Sequence, residues 1–405
     1  MKNSKNKQYD TMPNITETAR RIRAIAAREV RTMTSRWGIY LYSMLLAPII
    51  SAVFFLSLMD KGLPTDMPVA VVDMDNSTVS RNIVRQLDAF QQTDVKYISA
   101  DFSHARELMQ EGKVYGIMVL PEGLGRDAVG GAQPKITYYT NNSYLIAGSL
   151  LYRDMRMMSV LASGAVQLET GKAKGRGEAE IMAQVQPIVI DTHPIGNPWL
   201  NYSVYLCNVL LPGVLGLMIF LVTVYSIGSE IKYGTSGEYL SMANGSMPVA
   251  LAGKLLPQTA VFYGMGLVLI WILYGVMDFP HNSGVLPMML LMLVFVLAAQ
   301  GMGVFMIGVL PNVRLGMSFA SLWGVISFSI SGFTFPVAAM DPTLQALSNL
   351  FPLRHYFLVY VDQALNGLPL HYSAAQLLAL GAFCLLPFLV LKPLKRALET
   401  VKYSM

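Results

Sequence analysis

A short polar insert, Ser229 to Pro257, separates two long apolar runs, and its only ionic groups are Glu230, Lys232, Glu238 and Lys254. Carboxylates beside Tyr233 at a flexible bend suit charged hydrogen bonds to a soluble partner. Glu230, Gly234, Thr235 and Glu238 recur at helical spacing, and Gly234 costs a helix about 1 kcal/mol relative to Ala, so a loosened or bent helix is expected there. A plain polar turn between two helices fits the same local chemistry equally well. Other chemistry-bearing sets are weaker. Asp73 and Asp75 form an acid pair but follow a strand-like run, where Asp commonly makes turns and caps the next helix. His104, His193 and His281 lack the spacing of metal ligands. Gly253-Lys254 is the nearest approach to the phosphate-binding pattern GxxxxGK[ST], yet Leu255 follows it and the earlier glycine is missing. The chain is therefore expected to bind no ATP itself, to need no metal and not to be an enzyme.

The elements that must position the insert follow from composition. Of 405 residues, 53% are hydrophobic and 14% charged, with mean hydropathy +0.44. Soluble domains run near 25% charged, so the expectation is a polytopic α-helical membrane protein. Six runs are long enough to cross a bilayer: 37–59, 204–228, 249–277, 285–309, 317–337 and 373–391. Nine bases precede Trp37 (Lys2, Lys5, Lys7, Arg20, Arg21, Arg23, Arg28, Arg31 and Arg36) against Asp10, Glu17 and Glu29. Lys392, Lys395, Arg396 and Lys402 follow the last run in the tail 392–405. The positive-inside rule then puts both termini in the cytoplasm, 229–248 inside, and 60–203 and 338–372 outside. A basic terminus beside a span argues against nucleic acid as partner. The first apolar run starts too late and is too long for a cleaved signal peptide. Cys207 and Cys384 both lie in apolar runs and read as small hydrophobes rather than a disulfide or metal pair.

Residues 14–36 of the N-terminal segment 1–36 predict a basic amphipathic helix, with Ile15, Ala19, Ile22, Ala26, Val30 and Met33 on one face. Asn14 and Glu17 form a capping-box pattern, and such a helix beside a span would lie in the cytoplasmic interface against anionic lipid. Residues 60–203 predict an inserted α/β domain. Its strands are 69–73, 94–100, 114–120 and 135–140. Its helices are 77–90, one capped by Ser103, and a long one over 143–168, before a flexible linker at 172–178. Residues 331–367 are too broken by Pro336, Pro342 and Pro352 to span and too apolar for a free loop, so a short helical hairpin dipping into the outer leaflet is expected. Arg354 and His355 in it could contact headgroups, a substrate anion or simply the interface.

The expected spans hold almost no ionisable side chains, which argues against an ion-driven carrier. Gly301, Gly303, Gly308 and Gly324 offer small-residue faces for helix contact. A membrane sensor would need a cytoplasmic signalling domain, and the inner loops are short. A membrane acyl- or glycosyltransferase would need acids or histidines converging at one face, and none do.

Several motifs then resemble those of the ABC-2 family of ATP-binding-cassette permeases. EIKYGTSGEYLSMA is similar to the family's E-x-x-x-G-T-x-E-x-L, at Glu230, Gly234, Thr235, Glu238 and Leu240. ALAGKLLP resembles its G-K-x-x-P at Gly253, Lys254 and Pro257. The run from Ser331 to Gly367, with Gly332, Phe333, Phe335, Pro336, Pro352, Arg354 and His355, looks like its outer hairpin. VAVVDMDNSTVSRNIVRQL and GIMVLP are similar to the domain that bacterial members insert after the first span. Ser236-Gly237 departs from the bulkier residues many members carry there. The resemblance implies a type V exporter-like permease in a bacterial inner membrane. It implies a dimer with a second copy or a paralogue, and separate ABC ATPase subunits that bind ATP and Mg and touch Glu230, Lys232, Tyr233, Gly234, Thr235 and Glu238. By analogy it implies a periplasmic adaptor and an outer-membrane channel. The cargo expected is a hydrophobic or amphipathic small molecule or a lipid, with polysaccharide or lipid-linked glycan export as the alternative.

Overall fold

The computed structural model describes residues 15–188 and 190–401. Asn14, Lys2, Lys5, Lys7, Asp10 and Lys402 lie outside them. The chain divides into a helical unit, formed by residues before Lys61 and after His193, and an inserted unit, Lys61–His193.

Among the described residues, six helices of the first unit are long and apolar enough to cross a membrane: Trp37–Leu58, Tyr202–Lys232, Met247–Val276, Val285–Val309, Val313–Ile330 and Leu370–Thr400. These are spans 1 to 6 below, and with this composition they make the chain a polytopic helical membrane protein. Asn201 caps span 2 by accepting from the Ser203 and Val204 amides, and Asn312 caps span 5 through the Arg314 and Leu315 amides. Side-chain acceptors of this kind satisfy amides that the first helical turn leaves open. Span 5 starts and stops earlier than the hydropathy suggests. It ends at Ile330 because Gly332 adopts the left-handed φ of 102° and Pro336 follows. Span 6 is broken at Leu386 ahead of Pro387 and then runs on to Thr400, well past the expected limit of 391. Spans 2 and 4 form the enclosed centre of the unit. Gly303, Gly308 and Gly324 seat against Thr223, Val390 and Leu217, where any Cβ would collide.

Before span 1 runs the amphipathic helix Ile15–Ser35. One face packs on the rest of the helical unit and part of the apolar stripe stays open. Ile25 and Glu29 are buried, whereas Val30 and Ile15 are exposed. The stripe therefore includes a carboxylate, for a reason that the site makes plain.

In the inserted unit, β1 (Met67–Asp73), β2 (Thr93–Ser99), β3 (Gly116–Leu120) and β4 (Thr137–Thr140) form one sheet in the order β2-β1-β3-β4. β1 pairs parallel with β2 and β3, while β4 runs antiparallel along β3. Val69, Val71, Met118 and Leu120 face Ile83, Leu87, Leu151 and Met155. Ala70, Val72 and Ile117 face Ala105 and Leu108 on the other side. Helices on both faces explain why β1 and β3 read as continuous apolar runs. Asp101, rather than Ser103, caps the helix Phe102–Gln110, because its carboxylate accepts from the Ser103 amide. The long helix is Leu145–Ala173, and a further helix, Glu178–Val185, shortens the expected linker to 174–177.

Between spans 5 and 6 come a 3-10 turn at Val337–Ala339 and the helices Pro342–Ser348 and Pro352–Tyr360. Phe351 stacks on Trp323 of span 5 with centroids 4.5 Å apart, and Tyr360 donates to the Val204 carbonyl of span 2 at 3.2 Å.

Candidate functional site: a buried charge clasp beneath an exposed loop

Span 2 ends by a specific device. Gly234 has φ 69°, its N–H bonds the Ile231 carbonyl at 3.3 Å, and the Thr235 N–H bonds the Glu230 carbonyl at 3.0 Å. This is the Schellman arrangement, which needs a left-handed residue after the last helical turn and so selects glycine. The expected loosened helix is thus a clean stop followed by a new short helix, Ser236–Met242. The Thr235 hydroxyl also bonds the Glu230 carboxylate, so Glu, Gly and Thr at this spacing build one cap together.

Glu230 does not face outward. It is 3% exposed. Arg28 of the amphipathic helix grips it with both terminal nitrogens, at 2.7 and 3.0 Å. Lys254 of span 3 reaches the same carboxylate at 2.7 Å and, also at 2.7 Å, Glu29 of the amphipathic helix. Gln258, one turn further along span 3, donates to the other Glu29 oxygen at 2.8 Å. Lys254 and Glu29 are each 1% exposed. Two cations thus meet two carboxylates, and the cluster is formally neutral. Such groups survive burial only when paired and hydrogen-bonded, as here. The Glu230 hydrogen bonds hold the Arg28 guanidinium above its already high usual value, against the opposing effect of burial. Tyr239 lies under Lys254, 5.1 Å from ring centroid to ammonium. Burial, with Glu230 and Glu29 nearby, pushes its phenol well above the usual range.

Gly253 lets the two helices close on each other. A Cβ there would stand 2.6 Å from the Ile25 Cβ and 3.0 Å from the Ile22 carbonyl oxygen. The G-K-x-x-P stretch is therefore a packing notch followed by a buried cation. Pro257, one turn later, has no N–H for the Gly253 carbonyl.

Above the clasp lies an open face. Lys232, Gly234 and Gly237 are exposed, Tyr233 is half-exposed, and Thr235 is partly covered. Glu238 is largely in the open and touches the Arg28 Nε at 3.4 Å. The Arg36 guanidinium sits 4.1 Å over the Tyr233 ring. The six residues singled out in this loop thus divide. Lys232, Tyr233, Gly234 and Glu238 are surface; Glu230 and Thr235 belong to the clasp. Arg28, Glu29 and Gln258 are clasp residues that the sequence reading did not single out. Two signals pointed to them: a carboxylate one turn past Ile25 on the apolar stripe, and a lone lysine inside span 3.

The hairpin residues come together differently. Phe333 is buried against Phe357, whereas Phe335 is exposed. Gly332 makes the turn after span 5, Pro336 precedes the 3-10 turn, and Pro352 opens the next helix. His355 is buried with both ring nitrogens engaged, by Gln376 at 2.6 Å and by the Asn349 carbonyl at 2.9 Å. It brackets the hairpin to span 6 and is not available at the interface. Arg354 is half-buried, its Nε has no acceptor, and burial lowers its usual value. Asp73 and Asp75 do turn work. Asp73 accepts from the Asp75 and Asn76 amides and from Ser80, and Asp75 accepts from the Gly125 amide.

The family model described as ABC-2 family transporter protein matches residues 39–391. No curated protein matches the chain closely enough to count as a relative.

Proposed function

Because the chain belongs to the ABC-2 transporter family, whose permeases work with ABC ATPase subunits, we propose that it is the membrane subunit of an ATP-driven exporter whose ATPase docks on the loop Lys232–Glu238. The observation that carries this reading is the clasp. An exposed loop rests directly on Glu230, and Glu230 is tied through Arg28, Lys254 and Glu29 to the amphipathic helix and span 3. A push on the loop therefore moves three elements at once. ATP and Mg are bound by the partner subunits, and this chain hydrolyses none.

In this reading both termini and the docking loop face the cytoplasm of a bacterial inner-membrane protein, and the unit Lys61–His193 stands outside with the hairpin. The permease works as a dimer with a second copy or a paralogue, in the manner of a type V exporter. An adaptor and outer-membrane channel complete the path where a second membrane must be crossed. The cargo is a hydrophobic or amphipathic small molecule or a lipid, taken from the cytoplasm or the inner leaflet. ATP closure of the partners moves the clasp and opens the dimer interface outward.

Reconstitution tests it. The chain alone should show no ATP hydrolysis, and with its ATPase it should show transport-coupled hydrolysis. Tyr233→Ala combined with Glu238→Arg should weaken assembly about tenfold, roughly the 1.4 kcal/mol of one good contact. Glu230→Ala should leave hydrolysis but lower export. Wild-type assembly and export in both variants would sink the assignment.

A further inference from the structure

The inserted unit holds a groove that has no part in the clasp. The helix Leu145–Ala173 packs there against the helices Thr78–Asp88, Leu124–Val129 and Glu178–Val185. Between them lie two chambers. The first has about 480 Å³, within the usual range of roughly 300–1,000 Å³ for small-molecule sites. Val79, Ile83, Leu124, Ile136 and Val166 give it apolar walls, and none of its lining residues is charged. The second has about 260 Å³ and shares Ala128, Gly131, Val166 and Gln167 with the first. It adds two cations, Lys174 and Arg176, and no acid. Ala162 at one end and Lys174 at the other are twelve residues apart, about 18 Å along the helix at 1.5 Å per residue. The groove is thus elongated, apolar at one end and positive at the other.

The positive end is held in place by the backbone. Gly175 takes a left-handed φ of 74°. The Arg176 N–H bonds the Gly171 carbonyl at 3.1 Å, and the Gly175 N–H bonds the Lys172 carbonyl at 3.0 Å. This is the Schellman stop again, and it turns the chain back along the helix it has just left. Gly171 then admits the buried Ile181, since a Cβ there would stand 2.6 Å from the Ile181 Cδ1. Lys174 and Arg176 are therefore fixed beside the groove by a turn and its packing. No carboxylate takes their charge. Lys172 pairs with Glu178 at 2.8 Å. Among the described residues the Lys174 ammonium has no ion pair or hydrogen bond, and the Arg176 guanidinium meets only the Gln184 amide oxygen, at 2.9 Å. Glu169 and Glu180 do not line the groove.

We propose that the inserted unit binds an elongated amphipathic molecule with an anionic head group, its chain against Val79, Ile83 and Leu124 and its head group at Lys174 and Arg176. The apolar chamber gains by burying a hydrocarbon chain. The two cations offer charge-assisted hydrogen bonds to a carboxylate or a phosphate. A cationic head group would be repelled there, and a neutral one would leave both charges unanswered. The assignment rests on the inserted unit alone and holds whether or not an ATPase docks on the loop.

Palmitate carrying a mid-chain diazirine is the probe, applied to the full chain in phospholipid nanodiscs, with labelled peptides identified by mass spectrometry. Labelling of residues 124–136 and 162–167 should saturate. It should be displaced by palmitate and by hexadecyl phosphate, but not by hexadecanol or hexadecyltrimethylammonium. Lys174→Glu combined with Arg176→Glu should raise the half-saturating concentration roughly tenfold, the size expected for two solvent-facing charge contacts. That difference should shrink in about 1 M salt, where charges are screened within about 3 Å. Ala128→Trp, on the wall common to both chambers, should abolish the labelling with both cations intact. Two sources of the ligand are distinguishable. An anionic lipid found by native mass spectrometry on the wild-type chain as purified, and lost in Ala128→Trp, marks a resident lipid. A chain purified empty that still labels saturably marks a transient guest such as a cargo. Unchanged half-saturation in the charge-reversed variant, equal displacement by hexadecanol, or labelling confined to the spans overturns the proposal.

Discussion

At the scale of residues, Lys254 is the keystone of the clasp, because among the described residues it alone bonds both buried carboxylates. Removing one partner of a buried pair leaves an unpaired charge and costs about 3–5 kcal/mol, whereas removing a balanced pair costs far less. Lys254→Met should therefore lower thermal stability sharply in detergent. Adding Glu29→Gln should recover part of the loss, with a coupling of about 1–3 kcal/mol. A double variant no more stable than the single one would contradict the charge count. Gly234 was legible in the sequence as a breaker, and its cap is the physical form of that signal. The partners of Glu230 were not legible in the same way. Glu29 and Lys254 are 225 residues apart, and no local periodicity encodes such a pairing.

The amphipathic helix, span 3 and the turn after span 2 act as elements through two glycines of opposite character. A Cβ at Gly253 meets Ile25 within 2.6 Å, but a Cβ at Gly234 meets nothing within 4 Å. Gly234→Ala should thus cost only backbone strain, roughly 1–2 kcal/mol. Gly253→Val must push the amphipathic helix off span 3 and expose Glu29 and Lys254. Limited proteolysis after Ser35 reads this directly: cleavage should accelerate in Gly253→Val and stay near wild type in Gly234→Ala. The reverse order would mean that the helix is not held by this contact. The apolar periodicity revealed that a helix spans residues 15–35, and six apolar runs revealed the spans. It did not show which face packs on span 3, because Glu29 reads as a surface residue until its buried partner is known. Span ends were misjudged where caps and turns, rather than hydropathy, decide them, as at Asn312 and Gly332 of span 5.

For the whole molecule, the inserted unit was readable as α/β because β1 and β3 are apolar throughout and helical spacings lie between them. Its mixed sheet with an antiparallel β4 needed the pairing itself. The membrane unit has a centre, spans 2 and 4, and a periphery whose apolar faces are open. Lipid, a second permease copy, or both would cover those faces. The loop above the clasp is proposed to be where the ATPase lands. Photo-crosslinking with a benzophenone amino acid at Tyr233, in membranes of cells that make the chain with its partner ATPase, tests it most directly. A crosslink to the ATPase is expected from Tyr233 and none from Ile326 in span 5. No ATPase crosslink from Tyr233, together with one from the unit Lys61–His193, would contradict it.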